Sequence, residues 1–319
     1  MATADQIKSL VKAYVNQDDD KFKTVVLQIA AHEAKLGHDN IARELKLQMD
    51  KVGTKKASII KLNAQNPMLL YSVPTVELSE LVVSDEIDEK IRKILMEYRN
   101  RVKLNSFGLM NRRKILIEGK PGTGKTMTAS VIASELTLPL YTVQVDKLVT
   151  KFMGETSARL RQIFDNMEIQ QGIYLFDEFD AIGADRSLDN EVGEMRRILN
   201  SFLQFIEQDS SDSIIIAATN NQKMLDQALF RRFDDVLHYD LPGQSEINRL
   251  IKKKIETYDS NYKVSQRLLE VALGLSQAEI SRACDDAIKI SILDDCDISE
   301  STLMSLLQER HDIYASKEA

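Results

Sequence analysis

Cysteine, histidine and long apolar runs are scarce in this chain of 319 residues. The two cysteines, Cys284 and Cys296, are too few for a disulfide framework and are typical of a reducing compartment. They and the four histidines show no metal-ligand spacing. No apolar run approaches the roughly 18 residues of a membrane helix, and the N-terminus lacks the apolar stretch of a secretory signal. We therefore expect a cytoplasmic protein without a membrane span.

Charge is also unevenly distributed. The net charge of −7 arises from an excess of three positive charges in residues 1–66 and excesses of six and four negative charges in residues 67–241 and 242–319. No segment has the strong basic excess that a nucleic-acid-binding surface needs. Nucleic acid is therefore not an expected partner.

The chain divides into four parts by its apolar pattern. Residues 1–52 read as three short amphipathic helices, the second with Val25, Val26 and Ile29 on one face, which predicts a small N-terminal helical bundle. This bundle is either a stabilising appendage or a docking domain for an adaptor or substrate, and we favour docking. Residues 53–80 lose periodicity and suggest a surface linker.

Short apolar strands alternate with helices over residues 81–241. The predicted strands cover residues 114–118, 140–145, 173–176, 214–218 and 236–239. Such alternation indicates an α/β fold with a mainly parallel sheet covered by helices on both faces. After residue 242 the pattern is helical only, which predicts a C-terminal helical domain over residues 242–319.

A phosphate-binding loop lies between the first of these strands and a helix. Residues 119–126 read GKPGTGKT and match G-x-x-x-x-G-K-[ST] at every fixed position. Backbone N–H groups of such a loop cradle phosphates, the lysine reaches the β and γ phosphates, and the Thr126 hydroxyl ligates Mg²⁺. The predicted nucleotide-binding residues are Gly119, Lys120, Pro121, Gly122, Thr123, Gly124, Lys125, Thr126 and Met127.

Two carboxylates follow the buried strand at residues 173–176. Asp177 can hold Mg²⁺, and Glu178 beside it can polarise an attacking water as a general base. A charged loop after a strand would give the same residues, but the nearby phosphate loop favours a catalytic reading. A nucleotide-binding switch would not need Glu178, so the pair favours hydrolysis.

Polar residues near two further strands extend this site. Asn220 follows the strand at residues 214–218, where its amide can orient the water or contact the γ-phosphate. Arg231 and Arg232 precede the last strand. They are either surface charge or trans-acting fingers that stabilise the transition state at a neighbouring subunit's ATP.

These motifs together resemble those of the AAA ATPases. The resemblance rests on GKPGTGKT, KFMGETSARLRQIFD, IYLFDEFDAIGADR, EMRRILNSFLQ, IIIAATNNQKMLDQALFRRFD and GLSQAEISRACDDA, in this order over about residues 80–300. It is similar to the branch with katanin, spastin, proteasomal ATPases and membrane-anchored ATP-dependent proteases. It implies a P-loop AAA+ module with a C-terminal helical lid, and a homo-oligomer, a hexameric ring, with ATP at subunit interfaces.

The resemblance assigns roles to the same residues. It places the Walker B pair on Asp177 and Glu178, sensor 1 on Asn220, and the arginine fingers on Arg231 and Arg232. The segment 274–280 resembles a lid motif on the adenine and ribose side, with Gln277 where the family usually has glycine. The adjacent arginines lack the Pro-Gly insertion common in the family, which leaves open which one reaches the neighbour's phosphate.

The resemblance also implies a substrate-gripping pore loop. Its residues are Lys151, Phe152, Met153 and Gly154, of which the aromatic Phe152 would grip a threaded polypeptide without demanding a hydrogen bond. The alternative is a core residue at the start of a helix, but Gly154 and Glu155 favour an exposed loop.

The sequence therefore predicts a Mg²⁺-dependent ring ATPase that remodels, unfolds or translocates a protein or peptide. The chain has no H-E-x-x-H or Ser-His-Asp signature, so proteolysis would need a separate peptidase partner, docked through the N-terminal bundle. The alternatives are a regulatory assembly switch that controls a partner without threading, and a DNA-associated AAA ATPase, which the acidic balance disfavours.

Overall fold

The computed structural model describes residues 25–27, 29–30, 38, 43, 66–148, 153–179, 189–220, 230–259 and 262–315. The chain divides into two compact units, residues 1–58 and 59–319. In the first unit, residues 25–27 and 29–30 are helical, and Val25 and Val26 are buried, in agreement with the apolar face predicted there. The rest of the predicted N-terminal bundle lies outside the described residues.

The second unit is built on a six-stranded sheet in the order β1-β3-β4-β5-β2-β6. β1 is antiparallel to β3, and the other neighbours are parallel, which confirms the predicted mainly parallel sheet. The strands are β1 (Leu69–Ser72), β2 (Lys114–Gly119), β3 (Leu140–Val143), β4 (Ile173–Phe176), β5 (Ile214–Thr219) and β6 (Asp235–Tyr239).

Helices connect the strands and continue after the last one. Those around the sheet are α1 (Asp85–Arg99), α2 (Arg101–Ser106), α3 (Lys125–Leu136), α4 (Val145–Leu148), α5 (Met153–Ile169) and α6 (Asp189–Gln208). The C-terminal part consists of α7 (Gln244–Glu256), α8 (Gln266–Ala272), α9 (Gln277–Leu293) and α10 (Glu300–Ala315). The predicted helical lid corresponds to these last four helices.

Each face of the sheet has its own apolar core. On one face, α5 and α6 cover the sheet with aromatic side chains, among which Phe176 and Phe202 lie 4.9 Å apart between ring centroids. On the other face, α1 and α3 cover it with Ile91, Ile94 and Ile132, all fully buried. A third core joins α7 to α10. Burial on both faces explains why β4 is apolar throughout and β5 is apolar at every position except its last, Thr219.

Two local features differ from the expectations. Residues 69–72 lie in the segment expected to be a surface linker, but they form the edge strand β1, where Tyr71 contacts Tyr141 with ring centroids 5.5 Å apart. The expected exposed loop at Gly154 and Glu155 was also wrong in part, because α5 begins at Met153. Thr156 is fully buried there, and a glutamate in the first turn is favourable beside the helix N-terminus.

No helix within the described ranges is long and apolar enough to cross a membrane.

Candidate functional site

The phosphate loop connects β2 to α3 and depends on close backbone packing. A side chain at Gly119 would place its Cβ 2.3 Å from the backbone oxygen of Tyr239, so only glycine fits beside β6. Gly122 has a φ of +77°, in the left-handed region that favours glycine. Thr123 is buried and its hydroxyl donates to the Lys120 oxygen at 2.8 Å, which closes the loop on itself. The loop is therefore preformed.

Lys125 ties this loop to the neighbouring strand. Its ammonium donates to the backbone oxygens of Gly119 and Lys120, both at 2.8 Å, and to the side-chain oxygen of Asn220, also at 2.8 Å. The lysine is 7% exposed. β2 and β5 are parallel neighbours, so their carboxyl ends lie at the same edge of the sheet. This arrangement brings Lys125, after β2, next to Asn220, after β5. Phosphate oxygens would replace the carbonyls that the ammonium now contacts.

Thr126 and Asp177 meet beside this point. The Thr126 hydroxyl donates to Asp177 Oδ2 at 2.7 Å, which joins the start of α3 to the end of β4. A hydroxyl and a carboxylate are hard oxygen donors, and Mg²⁺ is commonly held by one or two such protein groups together with substrate phosphates. This donor set fits Mg²⁺. In the part of the chain that the structure describes, no cluster of three or more His, Cys, Asp or Glu side chains forms another metal site.

Glu178 occupies an unusual backbone conformation. Its φ is +50°, which is uncommon for a residue with a side chain and is often found at functional sites. The turn is held on both sides, because the Glu178 N–H donates to Asp177 Oδ1 at 2.9 Å and Phe179 is buried with its ring 4.5 Å from that of Phe202. The Glu178 side chain is exposed as a result. It is available to a water at the phosphate edge of the sheet.

The lid contacts the phosphate loop directly. The Ala278 N–H at the start of α9 donates to the Gly122 oxygen at 3.0 Å, and a Cβ at Gly122 would lie 2.6 Å from the Ser276 hydroxyl oxygen. Ser276 caps α9 by accepting from the Glu279 N–H at 3.4 Å. The resemblance implied only that this segment lines the adenine and ribose side, so its contact with the phosphate loop was not predicted. The serine three residues before a glutamate is the capping pattern that marks this helix start.

A buried pair of hydroxyl groups fixes the helix that follows the phosphate loop. Thr128 on α3 and Tyr239 on β6 are hydrogen-bonded to each other, and both are buried. Burial raises the pKa of Tyr239, so the phenol stays neutral over the physiological range. The pair fixes α3 against β6 without placing a charge behind the phosphates.

The remaining predicted residues fall in three groups. Met127 packs partly buried against the core under α3, in keeping with a position at the loop's end. Arg231 and Arg232 lie just before β6, at the amino-end edge of the sheet and away from the phosphate loop. In the predicted pore loop, Lys151 and Phe152 lie outside the described residues, while Met153 and Gly154 begin α5.

Comparison with known proteins identifies the family of this chain. A model of the ATPase family associated with various cellular activities (AAA) matches residues 115–241. An uncharacterised AAA family ATPase of Sinorhizobium fredii is 32% identical over 304 residues, which cover 92% of this chain and 91% of that protein.

Two further relatives are longer than this chain. A proteasome-activating nucleotidase of Saccharolobus solfataricus is 32% identical over 240 residues, 71% of this chain and 60% of that protein. The ATP-dependent zinc metalloprotease FtsH 2 of a Thermoanaerobacter species is 32% identical over 219 residues, 66% of this chain and 42% of that protein. The chain thus spans about half the length of these two. By its motifs, fold and relatives, it belongs to the AAA family and is an ATP-binding enzyme that hydrolyses ATP.

Proposed function

We propose that this chain is a Mg²⁺-dependent ATPase that assembles into a hexameric ring and uses ATP hydrolysis to remodel, unfold or translocate a protein through a central pore. The observation that carries the ATPase site is the meeting of Lys125, Asn220, Thr126 and Asp177 within hydrogen-bond distance at one sheet edge. A lysine, an amide and a hydroxyl–carboxylate pair at that point are the groups that hold and cleave a triphosphate.

The position of the two arginines supports assembly. β2 and β6 run parallel, with Ile115 opposite Asp235 and Gly119 opposite Tyr239. The arginines precede β6, whereas the phosphate loop follows β2, so about 13 Å of strand separates the two edges. An arginine side chain is too short to cross this span. Positive charge from these residues can therefore serve a phosphate only in another copy of the chain.

The described residues support each step of hydrolysis. The loop N–H groups and Lys125 bind and orient the phosphates, and Thr126 and Asp177 would hold Mg²⁺, which when bound neutralises charge on the phosphate oxygens. Glu178 orients a water and takes its proton as the oxygen attacks the γ-phosphorus. Asn220 keeps Lys125 in place and is within reach of the same phosphate. The lid contact at Gly122 closes the loop around the nucleotide.

A protein substrate is the part of the proposal supported by relatives and sequence. One relative is named for activating a proteasome and another as an ATP-dependent protease. The chain carries Phe152 in the segment that resembles a pore loop, and it has no protease signature of its own. We expect a separate peptidase or other effector to dock on residues 1–52, and the protein to act in the cytoplasm.

Two measurements test this proposal. Specific ATPase activity should rise with protein concentration, in parallel with the appearance of a six-subunit species in mass photometry under ATP and Mg²⁺. Phe152→Ala should keep basal ATPase activity and lose ATP-dependent unfolding of a tagged fluorescent protein, with Phe152→Tyr as the matched control. Activity independent of concentration would overturn the ring, and unfolding by Phe152→Ala would overturn threading in favour of a regulatory switch.

A further inference from the structure

Residues 78–84 lie between β1 and α1 and take part in two apolar cores. Leu81 and Val83 are 9% and 3% exposed and belong to the core on the face of the sheet that α1 and α3 cover. Val82, between them, packs partly buried against the core of the lid. Successive side chains of an extended segment point to opposite sides, in keeping with this division. We call residues 78–84 the strap, because the sheet and the lid share them.

Two cationic side chains of the lid bind the backbone of the strap. Arg249 Nη2 donates to the Val83 oxygen at 2.7 Å, and the Lys253 ammonium donates to the Ser79 oxygen. The two cationic residues are four apart on α7 and therefore lie on one face of that helix. Ile247 and other apolar residues anchor α7 in the lid core. The lid therefore holds the strap at two separate carbonyl groups.

Both side chains are directed toward the strap. The Val83 oxygen is closer to Arg249 Nη2 than the Asp85 carboxylate, which lies at 3.5 Å on a side chain that is 92% exposed. Lys253 is partly buried, and this burial lowers the pKa of its ammonium, whereas Lys252 beside it is exposed. A cation that has lost part of its hydration gains more from a carbonyl oxygen than one in water does.

The strap also contacts the phosphate loop and the helix that follows it. Leu81 Cδ1 lies 3.8 Å from the place that a Cβ on Gly124 would occupy, so the leucine packs beside the loop just before Lys125. The Leu78 N–H donates to Glu135 Oε1, in the last turn of α3, at 3.2 Å. The strap thus contacts α3 near both of its ends.

We propose that Arg249 and Lys253 are positioning residues for nucleotide binding, which act through the strap to keep Leu81 packed against the phosphate loop. The assignment rests on the ATPase site of the proposed function and deepens it, because it names residues through which the lid acts on that site. With both cations in place, Leu81 limits the movement of Gly124 and the loop stays preorganised for phosphates. Without them the strap can move away from the loop, and the nucleotide binds less tightly.

Nucleotide affinity in a paired variant measures this action. Arg249→Gln/Lys253→Met removes both cations and keeps most of each side chain's length. One hydrogen bond contributes about two- to tenfold to an equilibrium constant, so the Kd of a fluorescent ATP analogue should rise about 3- to 30-fold. KM for ATP should rise in parallel, while kcat at saturating ATP stays within about twofold, because Lys125, Asp177 and Glu178 are unchanged.

Two control variants separate positioning from a loss of folding. Lys252→Met removes an exposed lysine of the same helix and should bind the analogue as wild type does. Lys253→Arg keeps a cation that can reach the Ser79 oxygen and should stay within about twofold of the wild-type Kd. Thermal unfolding is measured for every variant. A lower unfolding temperature in the paired variant with an unchanged Kd would overturn the positioning role.

A thermodynamic cycle tests the action through Leu81. Leu81→Val removes the Cδ atom that approaches Gly124 but keeps an apolar side chain in the core. This substitution should raise the Kd by itself. Added to Arg249→Gln/Lys253→Met it should raise the Kd little further, since both changes act through one contact. Effects that multiply fully would overturn the action through Leu81.

The outcomes separate this inference from the proposed function. An unchanged Kd in Arg249→Gln/Lys253→Met, while wild type binds and hydrolyses ATP, overturns the role of the two cations and leaves the ATPase site as proposed. Failure of wild type itself to bind and hydrolyse ATP would overturn the proposed function and this inference with it.

Discussion

The ammonium of Lys125 lies 2.8 Å from the side-chain oxygen of Asn220, so the phosphate loop and the end of β5 are joined before any nucleotide arrives. The lysine is nearly fully buried and keeps its partners through hydrogen bonds. The positive charge is thereby fixed near the place where we expect the terminal phosphate to bind. Preorganised charge of this kind stabilises the transition state without reorganisation during the reaction.

Lys125→Ala should greatly weaken ATP binding. Truncating one partner of a buried charged contact costs about 2 to 5 kcal/mol, which corresponds to a loss of roughly 30-fold or more in affinity. Calorimetric titration with ATP and Mg²⁺ measures this. Lys120→Ala is the matched control, because Lys120 is an exposed lysine of the same loop that contributes its backbone oxygen. Unchanged affinity in Lys125→Ala would contradict the phosphate-loop assignment.

Glu178→Gln should bind ATP and stall its hydrolysis. The amide cannot accept the proton of the attacking water, and a general base typically contributes about 10²- to 10⁴-fold. Phosphate release should fall by that factor while assembled particles accumulate under ATP. Glu168→Gln, an exposed glutamate on α5, is the control and should turn over as wild type does. Wild-type turnover in Glu178→Gln would rule out its role as the base.

Asp209→Ala should destabilise the fold more than any exposed ion-pair variant. Asp209 and Arg113 side chains are 1% and 6% exposed, and removing one partner of a buried pair costs about 3 to 5 kcal/mol because the other charge stays buried. Asp165→Ala removes the partner of the exposed Arg161 and should cost less than about 1 kcal/mol. Chemical denaturation compares the two, and equal midpoints would contradict this account.

Cys284 and Cys296 should differ in reactivity. Burial raises the pKa of the Cys284 thiol to about 12, whereas Cys296 is exposed. Because the thiolate is the nucleophile, only about one Cys284 thiol in 10⁴ is ionised at pH 8. A thiol reagent at that pH should label Cys296 quickly and Cys284 only on unfolding. Cys296→Ser should leave the folded protein unlabelled, and rapid labelling of that variant would show that the core of the lid opens.

Elements with strong local signals were predicted accurately. The strand predicted at residues 173–176 matches the structure at both ends, because a fully apolar run marks it, and the helix predicted after the phosphate loop is present. β1 was not predicted because the strand is only four residues long and partly exposed. Its partner β3 lies about 70 residues later in the chain. Tertiary pairing rather than local pattern makes it a strand.

The candidate site was also predicted where local motifs mark it and missed where distant residues meet. Motif spacing identified Lys125, Thr126, Asp177 and Asn220, which the structure brings together. It could not identify Glu207 as the partner of Arg232, since a contact between a helix end and a turn depends on how both pack on the sheet. The local sequence identifies the chemical groups of such a site, while long-range packing determines which side chains meet.

The hydrogen bond from the Ala278 N–H to the Gly122 oxygen attaches the lid directly to the phosphate loop. α9 cannot swing outward without breaking this bond and loosening the loop. We therefore expect ADP to leave the phosphate loop only when the lid is displaced. In the proposed ring, a subunit whose lid is held by its neighbours would therefore keep ADP until those contacts change.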